Sequence, residues 1–160
     1  MSLFKVLISD SPLKEVDHSG ITEITVRELK KLYPITKDAP QQSWHLMDDD
    51  SRILHVPDES AFGELSISAC TQPPFDLEFY IEDKDEYVYW IEGNWKGTFL
   101  SDFADYVKAN IKAIDNVQLL TFWAGDGEQK LKESTMPIAD VTPEKLDVIG
   151  DASNIRVRFI

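Results

Sequence analysis

The sequence predicts an α+β fold, in which a mainly antiparallel sheet of about six or seven strands packs against helices. Two observations lead to this class. Short segments of alternating apolar and polar residues, separated by turn-forming residues, lie in the middle of the chain and indicate hairpins. One long helical pattern covers about residues 99–113, and shorter helix signals lie near 26–33 and 143–149. The strand-helix-strand order near the C-terminus suggests an α/β class, which the hairpins oppose.

The first third of the chain predicts a strand followed by a short helix. Leu3–Ile8 is rich in apolar residues and predicts the first strand. Thr25 and Glu28 have the spacing of a capping box, in which each side chain satisfies a free amide at the start of a helix. Pro34 then ends the helix, because proline cannot continue the hydrogen-bond ladder.

A first hairpin is predicted from residues 43–47 and 52–56, joined by the turn-forming residues 48–51. With a loop of this length, His45 and His55 point to opposite faces, so they cannot share a metal ion. A loop one residue shorter would bring both onto one face. The aspartates of the turn lack the alternating ligands, the glycine and the final glutamate of a calcium loop. No metal site is predicted here.

A second hairpin is predicted from residues 77–82 and 87–92, joined by residues 83–86. This loop pairs Phe79 with Trp90 on an apolar face that also carries Leu77, Ile81 and Val88. The opposite face mixes tyrosines with negative charge, and its members are Glu78, Tyr80, Glu82, Tyr87, Tyr89 and Ile91. This face either binds a partner or lies under a helix, with the tyrosine hydroxyls at its edge.

Two tryptophans near this hairpin have different expected roles. The parity of Trp90 matches that of Phe79, which predicts a core position. Trp95 follows the strand in a loop between Gly93 and Gly97. A large aromatic side chain in a loop either folds back over the core or is offered to a partner, and both interpretations stay open for Trp95.

The last third predicts a helix, two strands and a final helix between them. Apolar residues recur at three- and four-residue steps through residues 99–113, and Val117–Trp123 is apolar enough for a central strand. Residues 124–128 contain two glycines around an aspartate, but without a phosphate-binding motif they predict a plain turn. Thr142 and Pro143 mark the last helix start. In the final strand, Arg156 and Arg158 face away from the apolar residues, where they border the acidic segment.

The composition predicts one globular domain over residues 1–160 in the cytoplasm. The chain has 42% hydrophobic and 28% charged residues, within the range of folded domains. It has one cysteine, no signal-peptide pattern at its N-terminus, and no apolar run long enough to cross a membrane. These features exclude an intramolecular disulfide and a membrane span.

The net charge of −13 is concentrated in the middle of the chain. Residues 41–95 carry two basic and thirteen acidic side chains, whereas the flanking segments have net charges of 0 and −2. Such a field repels nucleic acid and acidic membranes and speeds association with a basic partner. The acidity also keeps a protein soluble, which is its ordinary role.

No catalytic or cofactor motif is found in the sequence. Cys70 ends a predicted strand with no histidine next to it in sequence, so it does not match a catalytic cysteine motif. The G-x-S-x-G, H-E-x-x-H and paired-cysteine patterns are all missing. Pairs of carboxylates arise by chance in a chain with 29 acidic residues. We therefore expect no cofactor, no metal and no catalytic residue.

Two hypotheses about function follow. The first is a non-catalytic acidic domain that binds a basic protein, for example an intracellular inhibitor or an immunity-type antidote to a basic toxin or nuclease. Its predicted partner-binding residues are Glu78, Tyr80, Glu82, Asp83, Asp85, Glu86, Tyr87, Tyr89 and Trp95. The second is a small-molecule-binding domain or enzyme with a pocket near Trp95 and the 124–128 loop.

Overall fold

The computed structural model describes residues 2–82 and 87–160. The chain divides into two compact units, one comprising residues 1–18 and 63–160 and the other residues 19–62. The prediction of a single domain over the whole chain stays a prediction. In the described ranges the strands and helices, in chain order, are β1 (Ser2–Ser9), β2 (Val16–Asp17), β3 (Thr22–Thr25), α1 (Val26–Leu32), β4 (Arg52–His55), β5 (Ser66–Ala69), β6 (Tyr87–Glu92), α2 (Thr98–Asn110), β7 (Gln118–Ala124), β8 (Lys132–Met136), α3 (Pro143–Gly150) and β9 (Ile155–Phe159).

The larger unit is built on a mixed sheet, for which the described residues supply seven strands in the order β2-β5-β6-β1-β7-β9-β8. Neighbouring strands are antiparallel, except that β8 runs parallel to β9. The α+β class is therefore confirmed, and the sheet is mixed. β8 is parallel because α3 and its connections carry the chain from one strand to the next, as parallel pairing requires.

The two faces of this sheet belong to two hydrophobic clusters. Leu7 on β1 packs with α2 and α3 in the helix-side cluster, together with Phe103 and Leu146. Val6 and Ile8 point the other way, because side chains alternate along a strand. They belong to what we call the opposite-face cluster, which also contains Leu77, Tyr80, Leu120, Phe122 and Ala124.

α2 agrees closely with the predicted long helix. It buries Phe99, Phe103 and Val107 on one side, as the spacing of apolar residues requires. It ends at Asn110, three residues before the predicted boundary, and the Asn110 side-chain amide donates a hydrogen bond to the Tyr106 carbonyl. A side chain that bonds the last carbonyls competes with the next turn of the helix. The helix described here is too short and too polar to cross a membrane, and the same holds for every other helix in residues 2–82 and 87–160.

The smaller unit, residues 19–62, contains α1 and the β3–β4 pair. The capping box is confirmed, because the Thr25 hydroxyl accepts a hydrogen bond from the Glu28 amide at 3.2 Å and the Glu28 carboxylate accepts one from the Thr25 amide at 2.8 Å. The hydrogen bond from the Thr25 amide, followed by one from the Thr25 hydroxyl, holds the pKa of the Glu28 carboxyl below its ordinary value. The predicted first hairpin is wrong. Ser43–Leu46 is a turn of 3₁₀ helix, and β4 pairs with β3 instead.

The predicted second hairpin is also wrong. Leu77–Phe79 is a turn of 3₁₀ helix, and β6 pairs with β1 on one side and with β5 on the other. Its predicted loop, residues 83–86, lies outside the described residues. Local alternation does not specify a partner strand, and β1 offers β6 a buried apolar neighbour from a distant part of the chain.

Candidate functional site

The candidate site is the segment Phe75–Glu82, which we call the aromatic-acidic segment. Pro73 and Pro74 end the preceding strand, since proline has no amide hydrogen for a sheet ladder. Asp76 then adopts a left-handed conformation with φ of 70° and leads into the 3₁₀ turn Leu77–Phe79. The segment packs on the sheet face that carries the opposite-face cluster.

Two inward side chains anchor the segment to the sheet. Leu77 and Tyr80 are buried, and they lie three residues apart, the spacing that aligns side chains on one side of a 3₁₀ turn. The Tyr80 ring packs against Phe122 with ring centres 5.1 Å apart. The Tyr80 carbonyl also accepts a hydrogen bond from the Arg156 guanidinium. These contacts determine which way the remaining side chains point.

Asp76 and Tyr80 fasten the predicted turn at residues 124–128 to this segment. One oxygen of the Asp76 carboxylate accepts hydrogen bonds from the amides of Gly125 and Gly127, at 2.7 and 3.0 Å. Both glycines have positive φ, which lets the two amides converge on one oxygen. The Tyr80 hydroxyl accepts a hydrogen bond from the Gln129 amide at 2.9 Å. Because Asp76 uses these two glycine amides, the turn does not offer them to a phosphate.

Three apolar side chains of the segment point to solvent. Phe75 is 84% exposed, Phe79 is 48% exposed, and Ile81 is exposed as well. Glu78 and Glu82 are exposed between and beside them. Exposed apolar patches rimmed by polar residues are typical of interaction sites, and here the exposed apolar side chains belong to one short segment that also carries exposed carboxylates. The segment therefore presents apolar area and negative charge from a firmly anchored backbone.

Among the predicted partner-binding residues that the structure describes, the glutamates and the tyrosines differ in exposure. Glu78 and Glu82 lie on the surface of the segment, whereas Tyr80 is only 4% exposed. Asp83, Asp85 and Glu86 lie outside the described residues. Glu78 and Glu82 are thus exposed at the surface, and the Tyr80 ring is not.

Tyr87 and Tyr89 face the helices instead. Tyr89 is 5% exposed, and its hydroxyl accepts a hydrogen bond from the Leu13 amide at 2.9 Å. Tyr87 is half-buried against the helix-side cluster. For this face, the interpretation in which a helix covers the tyrosines is correct. β6 carries Tyr89 toward the helices because its neighbour Trp90 belongs with the opposite-face cluster.

Trp95 folds back onto the helix-side cluster. Its ring lies 5.0 Å from that of Phe99 and 5.3 Å from that of Phe103, and the Lys5 amine stands 4.5 Å above it. Desolvation lowers the pKa of Lys5, and Asp151 opposes that shift. Gln129, just after the turn at residues 124–128, donates its amide hydrogen bond to Tyr80, which belongs to the opposite-face cluster. Trp95 packs with the helix-side cluster instead. The two parts of the predicted pocket are not brought together.

The sequence pattern does not predict that Phe75, Phe79 and Ile81 are exposed. It predicts a buried hairpin face for Phe79 and Ile81 and makes no prediction for Phe75, whereas all three are exposed. The signal that identifies them is the Pro73-Pro74 pair followed closely by Asp76, a combination that favours a turn over a strand. Within a 3₁₀ turn, Leu77 and Tyr80 form the buried stripe, and Phe79 does not.

A close pair of titratable groups lies elsewhere in the larger unit. His18 Nδ1 lies 2.9 Å from the Asp102 carboxylate beside a cavity of about 280 Å³. The Tyr106 hydroxyl in the same cavity wall donates to the Lys14 carbonyl at 2.7 Å. Burial raises the pKa of the Cys70 thiol, which opposes formation of a reactive thiolate. No cluster of three or more metal-binding side chains occurs within residues 2–82 and 87–160.

No protein-family model, curated protein sequence or solved structure is significantly similar to this chain. Arguments about function therefore depend on the geometry of the molecule itself. The strongest feature in that geometry is the aromatic-acidic segment.

Proposed function

We propose that this chain is a non-catalytic acidic domain that binds a basic protein through the aromatic-acidic segment. One observation carries the proposal: Phe75 and Phe79 are exposed beside Glu78, on a backbone that Leu77 and Tyr80 anchor to the sheet. The proposed contacts include the acidic residues predicted from the sequence. The proposed aromatic contacts are Phe75 and Phe79 and not the predicted tyrosines.

Anchoring matters because binding is costly when a loop must first become ordered. The hydrogen bonds of Asp76 and Tyr80 hold the segment before any partner arrives, which reduces that cost. Aromatic residues then supply buried area at the centre of an interface, where hot spots concentrate. The net charge of −11 over residues 41–95 attracts a cationic partner and speeds its approach.

An intracellular inhibitor or immunity-type antidote is the form of this function that we favour. The active site of a nuclease or basic toxin is cationic because its substrate is anionic, and an acidic surface can occupy such a site. The same charge disfavours nucleic acid as a partner of the chain itself. A cytoplasmic location belongs to this proposal.

The experiment is affinity capture from native lysate, followed by association and dissociation rates with the purified partner. In Phe75→Ala/Phe79→Ala we expect dissociation to be at least about tenfold faster, because the aromatic anchors are lost. In Glu78→Gln we expect slower association and a weaker dependence on salt, with dissociation changed less.

A matched control is available on α3. Asp147 and Val148 are both exposed there, so Asp147→Asn/Val148→Ala removes one charge and one apolar side chain from another surface. This control should bind like the wild type. The proposal is wrong if the control weakens binding as much as the segment variants do, or if the captured partner is a nucleic acid.

A small-molecule-binding domain is the second candidate, and it depends on a cleft between β1 and β6. Their pairing extends only as far as Val6 and Trp90. Beyond this point lies a cavity of about 420 Å³, whose lining includes Phe4, Lys5 and Glu92. This volume lies within the range of ligand sites. A thermal-shift screen with Lys5→Met as control tests this candidate, which requires a hit that the variant loses.

A further inference from the structure

The surface beside β9 has the opposite character from the acidic segment. Along β9, Ile155, Val157 and Phe159 are buried on the helix side, so Arg156 and Arg158 project from the other face of the sheet. Two residues along a strand span about 7 Å, which brings the two guanidinium groups close together. Neighbouring arginines are unexpected in a protein with a net charge of −13.

The two arginines differ in their partners. Arg156 donates to the Tyr80 carbonyl and forms an ion pair with Glu133 at 3.4 Å, and its side chain is 13% exposed. Arg158 forms no ion pair with any Asp or Glu of the described residues. The Nε atoms of both arginines are shielded from solvent without a hydrogen-bond acceptor among the described protein atoms. Arg156 is thus a structural link, whereas no carboxylate of residues 2–82 and 87–160 forms an ion pair with Arg158.

Polar side chains surround Arg158 on the same face. Thr135 is its neighbour on β8 and Gln118 its neighbour on β7, and directly paired residues point to the same face. Gln118 is buried, with an Oε1 atom that lacks a hydrogen-bond partner within the described residues. A cavity of about 270 Å³ is lined by Glu133, Ser134, Thr135, Arg156 and Arg158.

We propose that this cavity binds a carboxylate group, with Arg158 as its main ligand-binding residue. An arginine fork matches the two oxygens of a carboxylate and forms charge-assisted hydrogen bonds with them. Arg156, Arg158 and Glu133 together carry a net charge of +1, which suits a monoanion better than a phosphate dianion. The Thr135 hydroxyl adds a donor at the wall of the cavity.

The ordinary role of such arginines is to cover apolar sheet surface with their aliphatic stems. That role accounts for their burial, but it does not account for a guanidinium that, within the described ranges, has no carboxylate partner and lies next to unsatisfied polar atoms. Buried donors without an acceptor are costly, and a bound carboxylate would supply acceptor oxygens to the Arg158 guanidinium. The inference goes beyond the proposed function, because its ligand has the opposite charge and Arg158 lies outside the aromatic-acidic segment.

The test is a titration of the full chain with sodium acetate, followed through the arginine Nε–H signals in ¹H–¹⁵N NMR spectra at constant ionic strength. We expect a saturable shift of the Arg158 signal with acetate and none with chloride. Arg158→Gln should lower acetate affinity at least about tenfold, and Thr135→Val should lower it less. Arg52→Gln is the control, because Arg52 is exposed and already paired with Glu23 in the smaller unit.

Three outcomes would overturn the inference while the spectra still indicate a folded protein. Equal shifts with acetate and chloride would mean that only ionic strength acts on Arg158. Undiminished acetate binding by Arg158→Gln would move the site elsewhere. Tighter binding of inorganic phosphate than of acetate would contradict the charge argument.

The carboxylate has two chemical sources, a small organic acid or the C-terminus of a polypeptide. An acetylated tripeptide with a free C-terminus and the same peptide as an amide separate them. Binding of the free peptide at least tenfold tighter than acetate, with no binding of the amide, supports a polypeptide source. Equal affinity for acetate and the free peptide supports a small acid. Binding of the amide at the Arg158 signal would overturn the role of the carboxylate.

Discussion

The two faces of the main sheet are covered in different ways, and the candidate sites lie on the face opposite α2 and α3. On the helix side, α2 and α3 bury large residues such as Phe99 and Phe103 against β1 and β7. On the other side, Leu77 and Tyr80 provide much of the cover for the centre of the sheet. A short segment buries less apolar area than two helices, so some of its own side chains stay exposed.

The burial patterns of the strands show the same difference. β7 is central, and its residues from Gln118 to Phe122 are all buried. β9 lies nearer the edge and alternates between buried apolar residues and partly exposed arginines. Cover is therefore complete over the centre of the sheet and incomplete toward β9, where the proposed carboxylate site lies.

The largest expected effect comes from opening a cavity on the helix side. Phe103 is fully buried, and Phe103→Ala should lower the free energy of unfolding by about 3–5 kcal/mol. Phe79→Ala removes the same side chain from the exposed segment and should cost less than about 1 kcal/mol. Urea unfolding of both variants measures the difference. Similar losses in the two would mean that Phe79 is structural, which would also remove it from the proposed interface.

A smaller loss of stability is expected when the hydroxyl group of either buried tyrosine, Tyr89 or Tyr80, is removed. Tyr89→Phe leaves the buried Leu13 amide without an acceptor on the helix side, and should cost about 1–3 kcal/mol. Tyr80→Phe removes the acceptor of the partly buried Gln129 amide, which water can replace, so we expect about 1 kcal/mol or less. Denaturant midpoints of both variants decide the order. A larger loss for Tyr80→Phe would contradict the idea that the helix side is the better sealed of the two.

The smallest effect appears at alkaline pH. Burial raises the pKa of Tyr106 to about 12, whereas an unfolded chain titrates tyrosine near 10. Between these values the unfolded chain loses the proton and the folded chain keeps it, so stability falls as pH rises. From pH 9 to pH 11 the wild type should lose about 1 kcal/mol more than Tyr106→Phe, as measured by urea unfolding at each pH. Parallel losses in the two proteins would show that Tyr106 is not shielded.

The helices could be predicted because their signals are local. The Thr25–Glu28 capping box, the Thr142-Pro143 start and the apolar period of α2 each act within a few residues. The predicted ranges 26–33 and 143–149 differ from α1 and α3 by one residue at an end. A helix forms its hydrogen bonds within its own segment, so neighbouring residues contain most of the information.

The hairpins could not be predicted because strand partners are not local. Residues 77–82 alternate like a strand, yet Leu77–Phe79 forms a 3₁₀ turn, and β6 pairs with β1, which lies about 80 residues earlier in the chain. Because β6 pairs with β1 and β5, the face that carries Tyr87 and Tyr89 lies on the helix side. Glu78 and Glu82 are exposed, because charged side chains are too costly to bury in either arrangement, and their role in binding stays a prediction.

The sequence by itself determined the α+β class, the helix positions and the acidic middle of the chain, since these follow from composition and short-range patterns. Only the tertiary structure decided that Phe75 and Phe79 point outward, that Tyr89 is core, and that Arg158 stands beside Gln118 and Thr135. The physical reason is that a side chain is buried or exposed according to which distant segment packs against it, and that choice depends on the whole chain.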